Sequence, residues 1–70
     1  MSPTINLQVN GDRHTSTSNL NVPDFLTSIG LNPRQVAVEY NGEILHRQLW
    51  QNTMLQDGDR LEIVTIVGGG

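Results

Sequence analysis

Asp57-Gly58-Asp59-Arg60-Leu61-Glu62-Ile63-Val64-Thr65-Ile66-Val67 is the stretch that decides the fold. Asp-Gly-Asp is turn chemistry, because Gly accepts positive φ and Asp hydrogen-bonds nearby backbone. The apolar and β-branched run behind it reads as the strongest strand of the chain. At the other end of the sequence Ile5, Leu7 and Val9 alternate with Asn6 and Gln8, so Thr4 to Val9 reads as a half-buried strand. These two runs are the most apolar, and side by side at the centre of one sheet they are buried best.

The segments between them complete the order. Asn10-Gly11 marks a tight turn, since both residues tolerate positive φ. A weaker strand follows from about Arg13 to Ser18, carried by β-branched Thr15 and Thr17. Asn21 is a good helix N-cap, Pro23 suits the first turn, and the charge of Asp24 favours the positive helix end. Val22, Phe25, Leu26 and Ile29 then form one apolar stripe. Gly30 stops the helix, Leu31 closes over its last turn, and Asn32-Pro33 prevents continuation. Val36 to Tyr40 reads as a strand ended by Asn41-Gly42, Glu43 to His46 pairs back briefly, and Arg47 to Gln51 forms one helical turn burying Leu49 and Trp50. One main helix on one face of a mixed sheet is an α+β roll, with the hand fixed by right-handed crossover. Its expected core is Ile5, Leu7, Val22, Phe25, Leu26, Ile29, Val36, Val38, Leu61 and Ile63.

Composition narrows the function classes. A 70-residue chain buries only roughly 60% of the surface its unfolded form exposes, which leaves little room for a deep pocket. Hydrophobic residues are 36%, and with the seven glycines counted the chain falls within the ~45–50% usual for globular domains. The absence of Cys removes disulfides, thiolate metal sites, iron–sulfur clusters and a cysteine nucleophile, and it fits a reducing cytoplasm. Met1-Ser2-Pro3-Thr4 has no basic segment followed by an apolar run, and no apolar stretch approaches the ~20 residues that cross a bilayer, so neither secretion nor a membrane is expected. Four Arg, no Lys and a net charge of −3 argue against nucleic acid.

Few residues point to chemistry. Gly58 between Asp57 and Asp59 makes them a turn rather than a carboxylate pair or metal site, and His14 and His46 stand without ligand partners. Neither Asn-Gly pair has the further glycines and Lys of a phosphate loop, and Trp50 reads as core. No catalytic residue and no metal site is expected. Val64 and Ile66 point away from the face shared by Leu61, Ile63, Thr65 and Val67, onto a sheet face with no second layer, so they are expected to form a partner-binding patch. Residues 1–67 read as one domain and 68–70 as a flexible arm, Gly68-Gly69-Gly70, without a Cβ to obstruct its entry into another protein's active site.

The run from Leu55 through Gly70 closely resembles the C-terminal signature of the ThiS family, the sulfur carriers of thiamine thiazole biosynthesis. Val36-Ala37-Val38-Glu39-Tyr40-Asn41-Gly42-Glu43-Ile44-Leu45 and the Arg47…Trp50 spacing also look like that family, and the likeness weakens before Asn21. The resemblance implies a ubiquitin-like β-grasp fold and a sulfur carrier rather than an enzyme. It implies that a ubiquitin-activating-like enzyme uses Mg-ATP to adenylate Gly70, and that a persulfide protein or cysteine desulfurase then supplies sulfur. The resulting thiocarboxylate would serve a thiazole synthase. No bound cofactor and a free monomer are expected. The molybdopterin-synthase small subunit is similar too, but tends to carry Pro-Pro before its glycines, where this chain has Thr65-Ile66-Val67. A protein-conjugating modifier would use the same tail, although a chain without Lys cannot be extended through its own side chains.

Overall fold

The computed structural model describes residues 3–66. Strands β1 (Thr4–Val9) and β2 (Asp12–Thr17) form a hairpin, followed by helix α1 (Val22–Ser28), a 3-10 turn over Pro33–Gln35, β3 (Val36–Tyr40), the short β4 (Glu43–Ile44), the single-turn α2 (Arg47–Trp50) and β5 (Arg60–Thr65). The sheet order is β2-β1-β5-β3-β4, with β1 and β5 parallel at the centre and the other pairs antiparallel. This is the mixed sheet and single main helix expected from the sequence.

Both hairpins turn on Asn-Gly with positive φ at each residue: 50° and 86° at Asn10-Gly11, 51° and 91° at Asn41-Gly42. Two-residue loops of this kind match the right-handed twist of the strands they join. Helix α1 is capped at both ends. Asn21 Oδ1 accepts from the Asp24 amide at 2.9 Å. Gly30, at φ 86°, carries the chain out of the helix while the Gly30 and Leu31 amides donate to Thr27 O at 3.0 Å and Leu26 O at 2.9 Å. That is the Schellman arrangement, in which a left-handed residue lets the chain turn back on the last carbonyls.

The parallel ladder between β1 and β5 is short, with Gln8 opposite Arg60 and Val9 opposite Leu61. Side chains extend it at both ends. Asp57 Oδ1 accepts from the Asn6 amide at 2.7 Å; at the other end Asn10 Oδ1 accepts from the Ile63 amide at 2.7 Å while its Nδ2 donates to Ile63 O at 3.1 Å. On the opposite edge of β5, Asn41 Oδ1 accepts from the Arg60 amide at 2.8 Å. The backbone groups of the central strand are thereby paired where the neighbouring strands have already turned away.

One face of this sheet carries Ile5, Leu7, Val9, Val36, Val38 and Leu61 against Val22, Phe25 and Leu26 of α1, with Trp50 and Leu55 closing the core. Ile29 and Ile63 pack at its margin, half-buried. Three local expectations need correction. The second strand is not weak: Asp12 to Thr17 pairs with β1 along its full length, because the Asn10-Gly11 turn sets the register. Leu49 is not buried beside Trp50 but 50% exposed, since α2 is a single turn and presents only one side to the core. Ile29, expected inside the core, is the C-cap of α1 and packs against the core only half-buried, because the helix ends there.

Phe25 is 1% exposed at the centre of the core. Its truncation to Ala is expected to cost about 3–5 kcal/mol in urea unfolding, by loss of transfer energy and creation of a cavity. A cost under about 1 kcal/mol would show that the helix does not anchor the sheet.

Candidate functional site

Among the described residues the face of the sheet opposite α1 has no second layer, and on it the alternation of β3 and β5 exposes Ala37 and Glu39 beside Val64 and Glu62. Val64 lies across from Ala37 in the ladder and is 63% exposed. Ile44 of β4, 72% exposed, pairs with Glu39 and completes a shallow apolar groove lined by Ala37, Val38, Glu39, Ile44, Glu62 and Val64. Ile66 is also exposed, but it sits outside the groove lining, where its amide donates to Gln35 O at 2.7 Å. Of the two residues expected to form a patch, Val64 therefore belongs to the groove, while Ile66 lies just past the end of β5. Ile44 was not anticipated, because a two-residue strand is too short to show alternation; Ala37 was open to the parity of Val36 to Tyr40. Gly68, Gly69 and Gly70 lie outside the described residues, as does the expected domain boundary at Val67.

Elsewhere several charged and polar side chains hold the backbone. The Arg47 guanidinium lies over the Trp50 ring at 4.7 Å and donates to Pro33 O at 2.7 Å and Val36 O at 2.8 Å, tying α2 to the start of β3. Trp50 Nε1 donates to Leu45 O at 2.9 Å, so the indole is core with its polar atom paired. The Arg47…Trp50 spacing is a structural clamp. Asp59 is buried and accepts from the Tyr40 hydroxyl, the Gln56 amide at 2.8 Å and Asn41 Nδ2 at 3.2 Å. Asp57 and Asp59 are both turn residues, as expected. His14 lies on the edge strand β2 and His46 precedes α2. Among the described residues no group of three His, Cys, Asp or Glu converges on a point where a metal could sit, and no helix is long and apolar enough to cross a membrane. What the arrangement can do is present a shaped apolar surface to another protein.

Residues 5–70 match the model of the ThiS family. The crystal structure of a thiamine biosynthesis protein (ThiS) from Geobacter metallireducens is 38% identical, covers 94% of this chain and 100% of that chain, and superposes with a TM-score of 0.79. An uncharacterized protein ycf40 of Trieres chinensis is 37% identical over 89% of this chain and 85% of its own length. A thiazole synthase of Paramagnetospirillum magneticum is 38% identical over 91% of this chain, which spans only 20% of that protein.

Tyr40 is the single Tyr, so its titration is directly visible. Burial, the hydrogen bond to Asp59 and the nearby Asp59 charge push its phenol from 10.0 up to about 12. The folded value lies above the unfolded one, so the phenol's contribution to stability is complete below pH 10.0 and is lost as pH rises toward about 12. Phenolate absorbance is expected to follow that midpoint, and Asp59→Asn to lower it. A midpoint of 10.0 in the unmodified chain would mean that the hydroxyl is solvated and the Asp59 network open.

Proposed function

Because the chain belongs to the ThiS family, the sulfur carriers of thiamine biosynthesis, we propose that it carries sulfur on the carboxyl carbon of Gly70. A carboxylate is a poor electrophile, and its oxygen cannot be exchanged for sulfur until it becomes a leaving group. An adenylating enzyme of the ubiquitin-activating type supplies that: the Gly70 carboxylate attacks the α-phosphorus of Mg-ATP and pyrophosphate departs. A persulfide sulfur then attacks the acyl carbon and AMP leaves. Thiol reduction of the acyl disulfide releases the thiocarboxylate, whose sulfur is the nucleophile donated for thiazole formation. ATP, metal and persulfide belong to the partners. This chain contributes a docking surface and the reach of Gly68-Gly69-Gly70 beyond β5, where an added Cβ would crowd a narrow channel.

The observation that carries the reading is the family match through Gly70, together with a sheet whose central strand β5 precedes the glycines in sequence. A thiazole synthase as recipient is supported by the thiazole synthase polypeptides of Paramagnetospirillum magneticum and Magnetococcus marinus, each of which includes a segment 38% or 31% identical to this chain. The docking role of Val64 and Ile66 is supported by the exposure of Val64 on β5 and of Ile66 just after it, and by the groove that Ala37 and Ile44 add beside Val64.

Two tests separate chemistry from docking. With the adenylating enzyme, Mg-ATP and a sulfur donor, mass spectrometry of the C-terminal peptide is expected to find sulfur on Gly70. Gly69→Val should still bind but react poorly, whereas full sulfur transfer by a chain ending at Gly69 would overturn the assignment. Val64→Asp lies on an exposed position and is expected to keep the fold while slowing adenylation by about tenfold or more, the effect of placing a charge in an apolar contact. A folded Val64→Asp chain that is adenylated and consumed at the normal rate would remove the groove from the interface.

A further inference from the structure

Asn41 and Gly42 carry a reactivity that the sulfur-carrier reading does not use. In an Asn-Gly pair the glycine nitrogen, uncrowded by a side chain, can attack the asparagine Cγ. The Gly42 N–Cγ bond forms, the Cγ–Nδ2 bond breaks, and ammonia leaves with the Gly42 amide proton. Water then opens the five-membered imide at either carbonyl, giving aspartate or isoaspartate, with no change of oxidation state.

The fold restrains this reaction. Asn41 Oδ1 is held by the Arg60 amide at 2.8 Å and Nδ2 by Asp59 Oδ1 at 3.2 Å, so both polar atoms on Cγ are engaged in the contacts that join the β3 turn to β5. Cyclisation requires Cγ to leave both. Asn10-Gly11 has the same sequence and a similar turn, but its amide meets only the backbone of Ile63. The products therefore differ. At Asn10 a new carboxylate faces a neutral carbonyl oxygen, whereas at Asn41 it faces the buried carboxylate of Asp59, in a site already shared with the Tyr40 hydroxyl. Two carboxylates at hydrogen-bond distance repel, and here the Asp59 partner is buried. Isoaspartate would also add a backbone atom to a two-residue turn.

We propose that Asn41-Gly42 is a latent deamidation site, protected by its contacts with Arg60 and Asp59, whose conversion unfastens β3 from β5. Trypsin places Asn10 and Asn41 in separate peptides, 1–13 and 35–47, so the full chain can be aged natively and in urea and both positions followed by mass spectrometry. Asn41 is expected to deamidate more slowly in the folded chain by about tenfold or more, a measure of how rarely the turn opens. Melting temperature should fall in the order Asn10→Asp, then Asn41→Gly, then Asn41→Asp, because Gly keeps the positive φ and removes the amide without adding charge. Failure of Asn41→Asp to fold fits that order. Equal deamidation rates in folded and unfolded chains would overturn the protection, and Asn41→Gly as damaging as Asn41→Asp would overturn the clash with Asp59.

Discussion

Side-chain amides and carboxylates that stand in for missing strand residues along β5 are the constraint on which the structure depends. A central strand must pair both edges, yet β1 runs beside it only briefly before turning at Asn10-Gly11. Asn10 solves this by entering the left-handed region, where its amide continues the ladder to Ile63. Asn41, at nearly the same φ, grips Arg60 from the other side. Asp57 accepts from Asn6 where the parallel pair begins. Residues that favour the turn also supply the donors and acceptors that the turn removes, so local conformation and strand pairing reinforce each other.

With β5 held on both edges, its alternation separates two roles. Leu61 enters the core against α1, and Val64 stands out from the open face opposite Ala37. Pairing of β4 with Glu39 adds Ile44 to the same face. Buried polar chemistry is gathered at the other end of the strand, where Asp59 gathers Tyr40, Asn41 and Gln56. Such a domain presents apolar area to solvent, which suits the proposed carriage of sulfur on Gly70, three residues after Val67.

Much of this was legible in the sequence wherever one residue type answers one local demand. Alternation in Thr4 to Val9 and after Asp59 located the two central strands, Asn21 and Gly30 bounded the helix, and each Asn-Gly marked a hairpin. Contacts between distant segments were not legible. Nothing local tells that the Asn10 side chain bonds Ile63, or that Arg47 reaches the carbonyls of Pro33 and Val36. Leu49 misled for a related reason: in a single helical turn hydrophobicity alone does not say which of two adjacent residues faces inward, and Trp50, with its N–H paired to Leu45 O, takes that place. The candidate patch was half legible, since Val64 followed from strand parity whereas Ile44 depends on where a two-residue strand lands.

Delivery of sulfur on Gly70 is tested most directly by the intact mass of the chain isolated from its native cells under thiol-free conditions. The expected result is a species heavier than the unmodified chain by the exchange of one oxygen for sulfur, localised to Gly70 and lost on incubation with a thiazole synthase and its substrates. Recovery of the chain only in isopeptide linkage to other proteins, with no sulfur-bearing form, would contradict it.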